Sequence, residues 1–167
     1  MSSSDFRRIA ERGDRGKKER LFRAAITAFC SLTRPSRNEI AKLEDLTLPL
    51  YDDVSADARR FVAAALSEVE YAPLELIKRL AGESLDIAAP LLLRSKALSD
   101  VDLIALIGRH GIAHARVIAR RPNLNKTIAD LVTALNRSEL RAVVDNSRGR
   151  DPAMKATPVA EQGSGAR

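Results

Sequence analysis

Few side chains in this sequence of 167 residues could do chemistry unaided. It carries one cysteine, Cys30, and two histidines, His110 and His114. A reactive thiolate needs a nearby base or cation to lower its pKa. Cys30 has neither a histidine nor a second cysteine near it in sequence, so it reads as a structural thiol at the edge of an apolar helix face. A single cysteine makes no internal disulfide, which fits a reducing, cytoplasmic setting. His110 precedes Gly111 and reads as a partner for the dipole at a helix C-terminus. His114 falls at the boundary of an apolar side and reads as a packing or capping histidine, with a ligand role as the other option. Asp52 and Asp53 are adjacent and point in different directions on a helix, so they read as a solvated helix end rather than a metal pair. Glycine-rich phosphate loops and the G-x-S-x-G, C-x-x-C and H-E-x-x-H patterns are missing. No enzymatic activity, cofactor or metal is therefore expected.

Recognition chemistry is better represented. Residues 112–121, IAHARVIARR, form a helical pattern with Ile112, Ala115, Ile118 and Ala119 inward. Arg116 and Arg120 share its exposed face, being one turn apart, with Arg121 beside them and Arg109 nearby. Guanidinium groups suit carboxylates and phosphates. The candidate interaction surface is therefore Arg109, His114, Arg116, Arg120 and Arg121, and a protein partner is the first expectation. Nucleic acid is the alternative, gripped by the same arginines and by Arg7, Arg8, Arg12, Arg15, Lys17, Lys18 and Arg20. Exposed aromatics for base stacking are not evident, because the chain has only two Tyr, four Phe and no Trp.

Charge is unevenly placed around a net +6. Residues 1–37 carry ten Lys/Arg against four Asp/Glu, residues 38–108 seven against thirteen, and residues 109–167 eleven against five. Basic ends around an acidic centre fit self-association end to end, or a match between layers within one chain.

The elements that must position these residues recur. Leu76-Ile77 and Leu80 align with Leu103-Ile104 and Ile107 at an offset of 27 residues, and Asp86-Ile87-Ala88 with Ala113-His114-Ala115. Leu103-Ile104 aligns with Leu131-Val132 at 28, and Ser55, Asp57 and Val62 with Ser84, Asp86 and Leu91 at 29. That period holds a pair of short helices with their turns, and self-similarity at such a length predicts a stacked array. The expected fold is all-α, a short right-handed α-solenoid behind an N-terminal helical segment.

Punctuation supports this. Leu21, Ala24, Ala25, Ala28, Phe29 and Leu32 predict one apolar stripe on a helix from about Lys17. Ser36 and Glu39 form a capping box; Ser55, Ser84, Ser99, Asn125 and Ser138 read as further N-caps. Phe61 and Ile104 are read as core-facing. Pro49 predicts a break near Leu48, Pro90 a bend, and Gly82 a left-handed helix stop. The reading divides the chain into a flexible basic N-terminus (1–16), one helical-repeat domain (17–148, with N-terminal helices over 17–53 and repeats over 55–148) and a disordered tail (149–167). Apolar runs fall short of the roughly 20 residues of a membrane span, so no membrane partner is expected.

The segments DVSADARRFVAAAL, APLELIKRLAGESLDIAAPLLLRSKALSDVDLIALI and AHARVIARRPNLN resemble the bacterial family known as Domain of Unknown Function 2336, over roughly residues 5–147. The resemblance implies HEAT-like helix pairs. It implies no activity and no catalytic residue.

Overall fold

The computed structural model describes residues 3–148, with side chains from Gly13 to Asn146. Eight α-helices follow one another: α1 (Ser3–Cys30), α2 (Arg37–Leu50), α3 (Ala56–Leu66), α4 (Leu74–Ala81), α5 (Leu85–Arg94), α6 (Asp100–His110), α7 (Ile112–Ile118) and α8 (Lys126–Arg148). A 3-10 turn, Tyr51–Asp53, joins α2 to α3. No strand occurs among the described residues. The tail expected at 149–167 lies outside them.

The helices pack in rows. α3 packs between α1 and α5, and α5 continues onto α7. On the other side of this row, α2 packs on α1 and α4, α4 on α3 and α5, and α6 on α7, while α8 closes the array against α7. One continuous core threads the layers, from Phe22 and Tyr51 to Ile128 and Val132. One set of positions aligned by the sequence offsets is buried alike. Val62 in α3, Leu91 in α5 and Ile118 in α7 are all wholly enclosed.

Local signals start the helices. Ser36 Oγ accepts from the Glu39 amide at 3.3 Å while Glu39 accepts from the Ser36 amide at 2.7 Å. Ser99 and Asp102 make the same reciprocal pair ahead of α6. Ser55 accepts from the Ala58 amide at 3.1 Å, and Asn125 from the Thr127 amide at 2.9 Å. Helix α4 begins with Pro73 in its cap position and no side-chain cap of its own. Glu44 of α2 supplies one by accepting from the Glu75 amide at 3.0 Å.

Side-chain ties cross from one repeat to the next. Arg79 meets Asp52 at 2.7 Å, Arg94 meets Glu68 at 3.0 Å and Lys78 meets Asp102 at 3.2 Å, while Arg60 joins Asp57 and Asp86. Glu83 accepts from both the Tyr51 hydroxyl (2.8 Å) and Arg59 (2.7 Å), and the Arg79 guanidinium lies 4.3 Å from the Tyr51 ring centre. Burial and the Glu83 carboxylate push the Tyr51 phenol well above its ordinary pKa, so it remains a donor. Much of the acidic centre is therefore matched within the chain.

Several expectations are corrected. Helix α1 starts at Ser3 rather than near Lys17 and runs through Gly13 and Gly16, where an Asp14–Lys18 pair one turn apart supports it. Its inward face is Phe22, Ile26 and Phe29, whereas Leu21 and Leu32 are exposed. The larger rings dictate this rotation, since Phe22 packs edge-on against Tyr51. Cys30 is exposed, although its Sγ sits 3.8 Å from the Ala65 carbonyl oxygen and partial burial pushes the thiol pKa up. Phe61 and Ile104 also lie outside the core.

Gly82 has a negative φ, so no left-handed stop forms there. Ser84 makes no side-chain cap; its hydroxyl bonds Asp86 instead. Pro49 lies in the last turn of α2, which tightens into the 3-10 turn after Leu50. Helix α5 runs on through Pro90 to Arg94. Ser138 opens no new helix, because α8 is continuous and the Ser138 hydroxyl donates to the Leu135 carbonyl at 2.8 Å.

Candidate interaction surface

The structure divides the five residues singled out by sequence. His114 is buried, only 5% exposed, in the slot that Ala58 and Ile87 fill in the two preceding repeats. It is therefore a packing residue and leaves the candidate surface. Arg121 also turns inward. Its guanidinium donates to the carbonyls of Leu92 (2.7 Å) and Ser95 (2.7 Å), closing the C-terminus of α5. Arg116 is exposed but engaged with Glu139 at 2.7 Å and Asn136 at 3.2 Å, tying α7 to α8. Arg109 and Arg120 are exposed, and their side chains have no hydrogen-bond or ion-pair partner among the described residues.

The two histidines form a small joint of their own. Helix α6 ends and α7 begins at one residue, Gly111, whose φ of 71° a side chain would strain. This corner stacks the His110 ring on His114 with centroids 4.4 Å apart. His114 Nε2 lies 3.2 Å from the Glu83 carbonyl, as expected for a histidine bonded to a neighbouring turn. A neutral imidazole with its proton on Nε2 donates there. Burial and then the neighbouring His110 pull the His114 pKa below its ordinary 6.5, against the carbonyls of Glu83 and Ala81, which favour the cation.

Folded protein thus holds this proton more weakly than the unfolded chain does. The corresponding stability is complete above about pH 6.5 and falls as pH drops through that unfolded value. Thermal melts should show a midpoint declining from about pH 7 to about pH 5.5, before most carboxylates titrate. In His114→Ile, which restores the residue type of the equivalent α5 slot, that decline should be reduced.

Two surfaces escape a reading of the sequence. The far part of α8 exposes Leu140 (65%) and Val143 (61%). A shallow groove of ≈ 420 Å³ there is lined by Arg137, Leu140, Arg141, Val144 and Asp145. Arg137 and Arg141 stand one turn apart, without side-chain partners among the described residues. Helix α6 exposes a second apolar strip around Val101 (75%) and Ile104 (41%). The signal for it in the sequence is composition, apolar on nearly all sides over Val101–Gly108.

Among the described residues no group of three or more His, Cys, Asp or Glu side chains could hold a metal, and no helix is long and apolar enough to cross a membrane. The described residues form an all-helical protein. Residues 87–150, from α5 through α8, match the family model described as an uncharacterised protein conserved in bacteria (DUF2336). No curated protein and no solved structure matches the chain.

Proposed function

We propose that this chain is a non-enzymatic, HEAT-like helical-repeat module of the cytoplasm that binds a protein partner through the far part of α8. One observation carries the reading: Leu140 and Val143 are open to solvent beside two arginines without side-chain partners among the described residues, in the far part of the last helix. Terminal repeats of stacked arrays ordinarily carry a polar outer face, because an apolar one invites association. An apolar floor flanked by Arg137 and Arg141 suits the apolar side of an acidic amphipathic helix, with its carboxylates on the guanidinium groups. The chemistry favours a protein over nucleic acid, since Lys18, Arg59, Arg60, Lys78, Arg79, Arg94 and Arg116 are engaged with carboxylates of the chain itself.

Capture from native lysate tests this, with nuclease present and absent. Wild-type protein should retain a partner under nuclease, and Arg137→Glu with Arg141→Glu should lose it about tenfold or more while melting unchanged. Retention by the double variant would reject the α8 surface. Recovery that disappears with nuclease would reject a protein partner in favour of nucleic acid.

A further inference from the structure

We propose that two copies of this chain associate through the outer face of α6, packed antiparallel about a two-fold axis beside Ile104 and Ala105. The repeat itself exposes the vacancy. Val101, Ile104, Ala105 and Gly108 lie on one side of α6 and correspond, at the 27-residue offset, to Leu74, Ile77, Lys78 and Ala81 of α4. Ile77 and Ala81 are wholly buried. Their counterparts are bare: Ile104 is exposed, and a methyl group added at Gly108 would meet nothing within 4 Å. The last helix, α8, packs on α7 and leaves this face open. A helix apolar on nearly all sides calls for cover on the side its own chain leaves free.

The face is complementary to itself. Its larger residues, Val101 and Ile104, fall in the N-terminal half and its smaller ones, Ala105 and Gly108, in the C-terminal half. Antiparallel pairing about the stated axis sets Val101 against Gly108 of the second copy and Ile104 against Ala105, so the axes can approach closely. Charge agrees. Asp102 and Arg109 are two turns apart on the same edge of the strip, so the same operation brings each Arg109 beside Asp102 of the other copy. Both contacts form twice, as an isologous interface requires.

Arg109 has no partner among the described residues. Asp102 already anchors the α6 cap and meets Lys78 at 3.2 Å, and its hydrogen bonds with Ser99 hold its pKa below the ordinary carboxylate value, so an incoming Arg109 shares it with Lys78. A groove of ≈ 200 Å³ lined by Lys78, Asp102, Ala105, Leu106 and Arg109 runs along this edge and offers room for the incoming guanidinium. Parallel packing would set Val101 at the height of Val101 and Arg109 at the height of Arg109, and it loses both matches. This proposal is independent of the α8 groove.

Sedimentation equilibrium of the purified full chain over a concentration series tests it, together with circular dichroism. Wild type should pass from monomer to dimer mass. Ile104→Glu, at a site already exposed in the monomer, should keep its fold and weaken the dimer at least tenfold; Arg109→Asp should weaken it because it faces Asp102 with like charge. Ala105→Cys in a Cys30→Ser background should give a covalent dimer under mild oxidation, a readout that stands even if Ile104→Glu fails to fold. Arg137→Glu with Arg141→Glu should dimerise as wild type does. A chain monomeric at every concentration would overturn the proposal. So would a dimer broken by the α8 changes but indifferent to Ile104→Glu and unlinked through Ala105→Cys.

Discussion

Ile118→Asp is expected to abolish the cooperative thermal transition of this protein. Ile118 is wholly enclosed in α7, in the slot that Leu91 and Val62 fill in the repeats before it. An aspartate placed there is cut off from solvent, and the inward-turned Arg121 is already engaged with the carbonyls of Leu92 and Ser95. The aspartate must either stay neutral at a cost or draw water into the core. Substitutions of this kind cost upwards of about 4 kcal/mol, against a total stability of roughly 5–15 kcal/mol for a domain. Helix α7 is only seven residues long, too short to survive without its packing. Calorimetry and circular dichroism would decide the matter. Ile118→Val, which removes one methylene, should cost only about 1 kcal/mol and keep a sharp transition. A wild-type melt for Ile118→Asp would show that the layers are not in the register described.

Arg121→Ala should be the most damaging substitution among Arg109, Arg116, Arg120 and Arg121, by about 2–3 kcal/mol in urea unfolding. The last carbonyls of a helix have no partners within it. At the end of α5 the Arg121 guanidinium reaches over from the neighbouring repeat to take two of them, on Leu92 and on the buried Ser95. Removing it leaves those oxygens without a donor beside an apolar core. Arg121→Lys should recover only part of the loss, since one ammonium cannot reproduce the two-pronged geometry. The adjacent Arg120→Ala should lie within about 0.5 kcal/mol of wild type. Equal effects at 120 and 121 would mean that another group satisfies the end of α5.

That contrast marks how far local spacing reaches. A capping box needs only residues three apart, so Ser36 with Glu39 and Ser99 with Asp102 are legible in the sequence alone. The register of Val62 and Leu91 is legible too, because both are large and recur. Counting apolar residues without weighing their size misleads at α1, where alanines at 24, 25 and 28 suggest a stripe one position away from the one that Phe22 and Ile26 bury. His114 shows a related limit. Its own helix places it at a boundary, and only the stacking of α7 on α5 makes that boundary an interior.

The arginines show where such reading stops. Arg116, Arg120 and Arg121 look alike in sequence, yet one grips Glu139, one has no partner among the described residues and one closes the end of another helix. Each difference is settled by groups on another helix. Local spacing carries no record of such contacts. The α6 and α8 strips stay hidden for the opposite reason, since apolar spacing announces a buried face and says nothing about whose atoms bury it.

The corner at Gly111 bears on how these strips perform. A single residue ends α6 and starts α7, and the ring stacked across it is pinned to the turn after α4. Slack that a longer connection would supply is missing, so α6 is tied closely to α7 and to the turn after α4. Whatever settles on its outer face meets a surface already set in shape. Little freedom is left for contact to freeze out, and most of the area covered can count towards affinity.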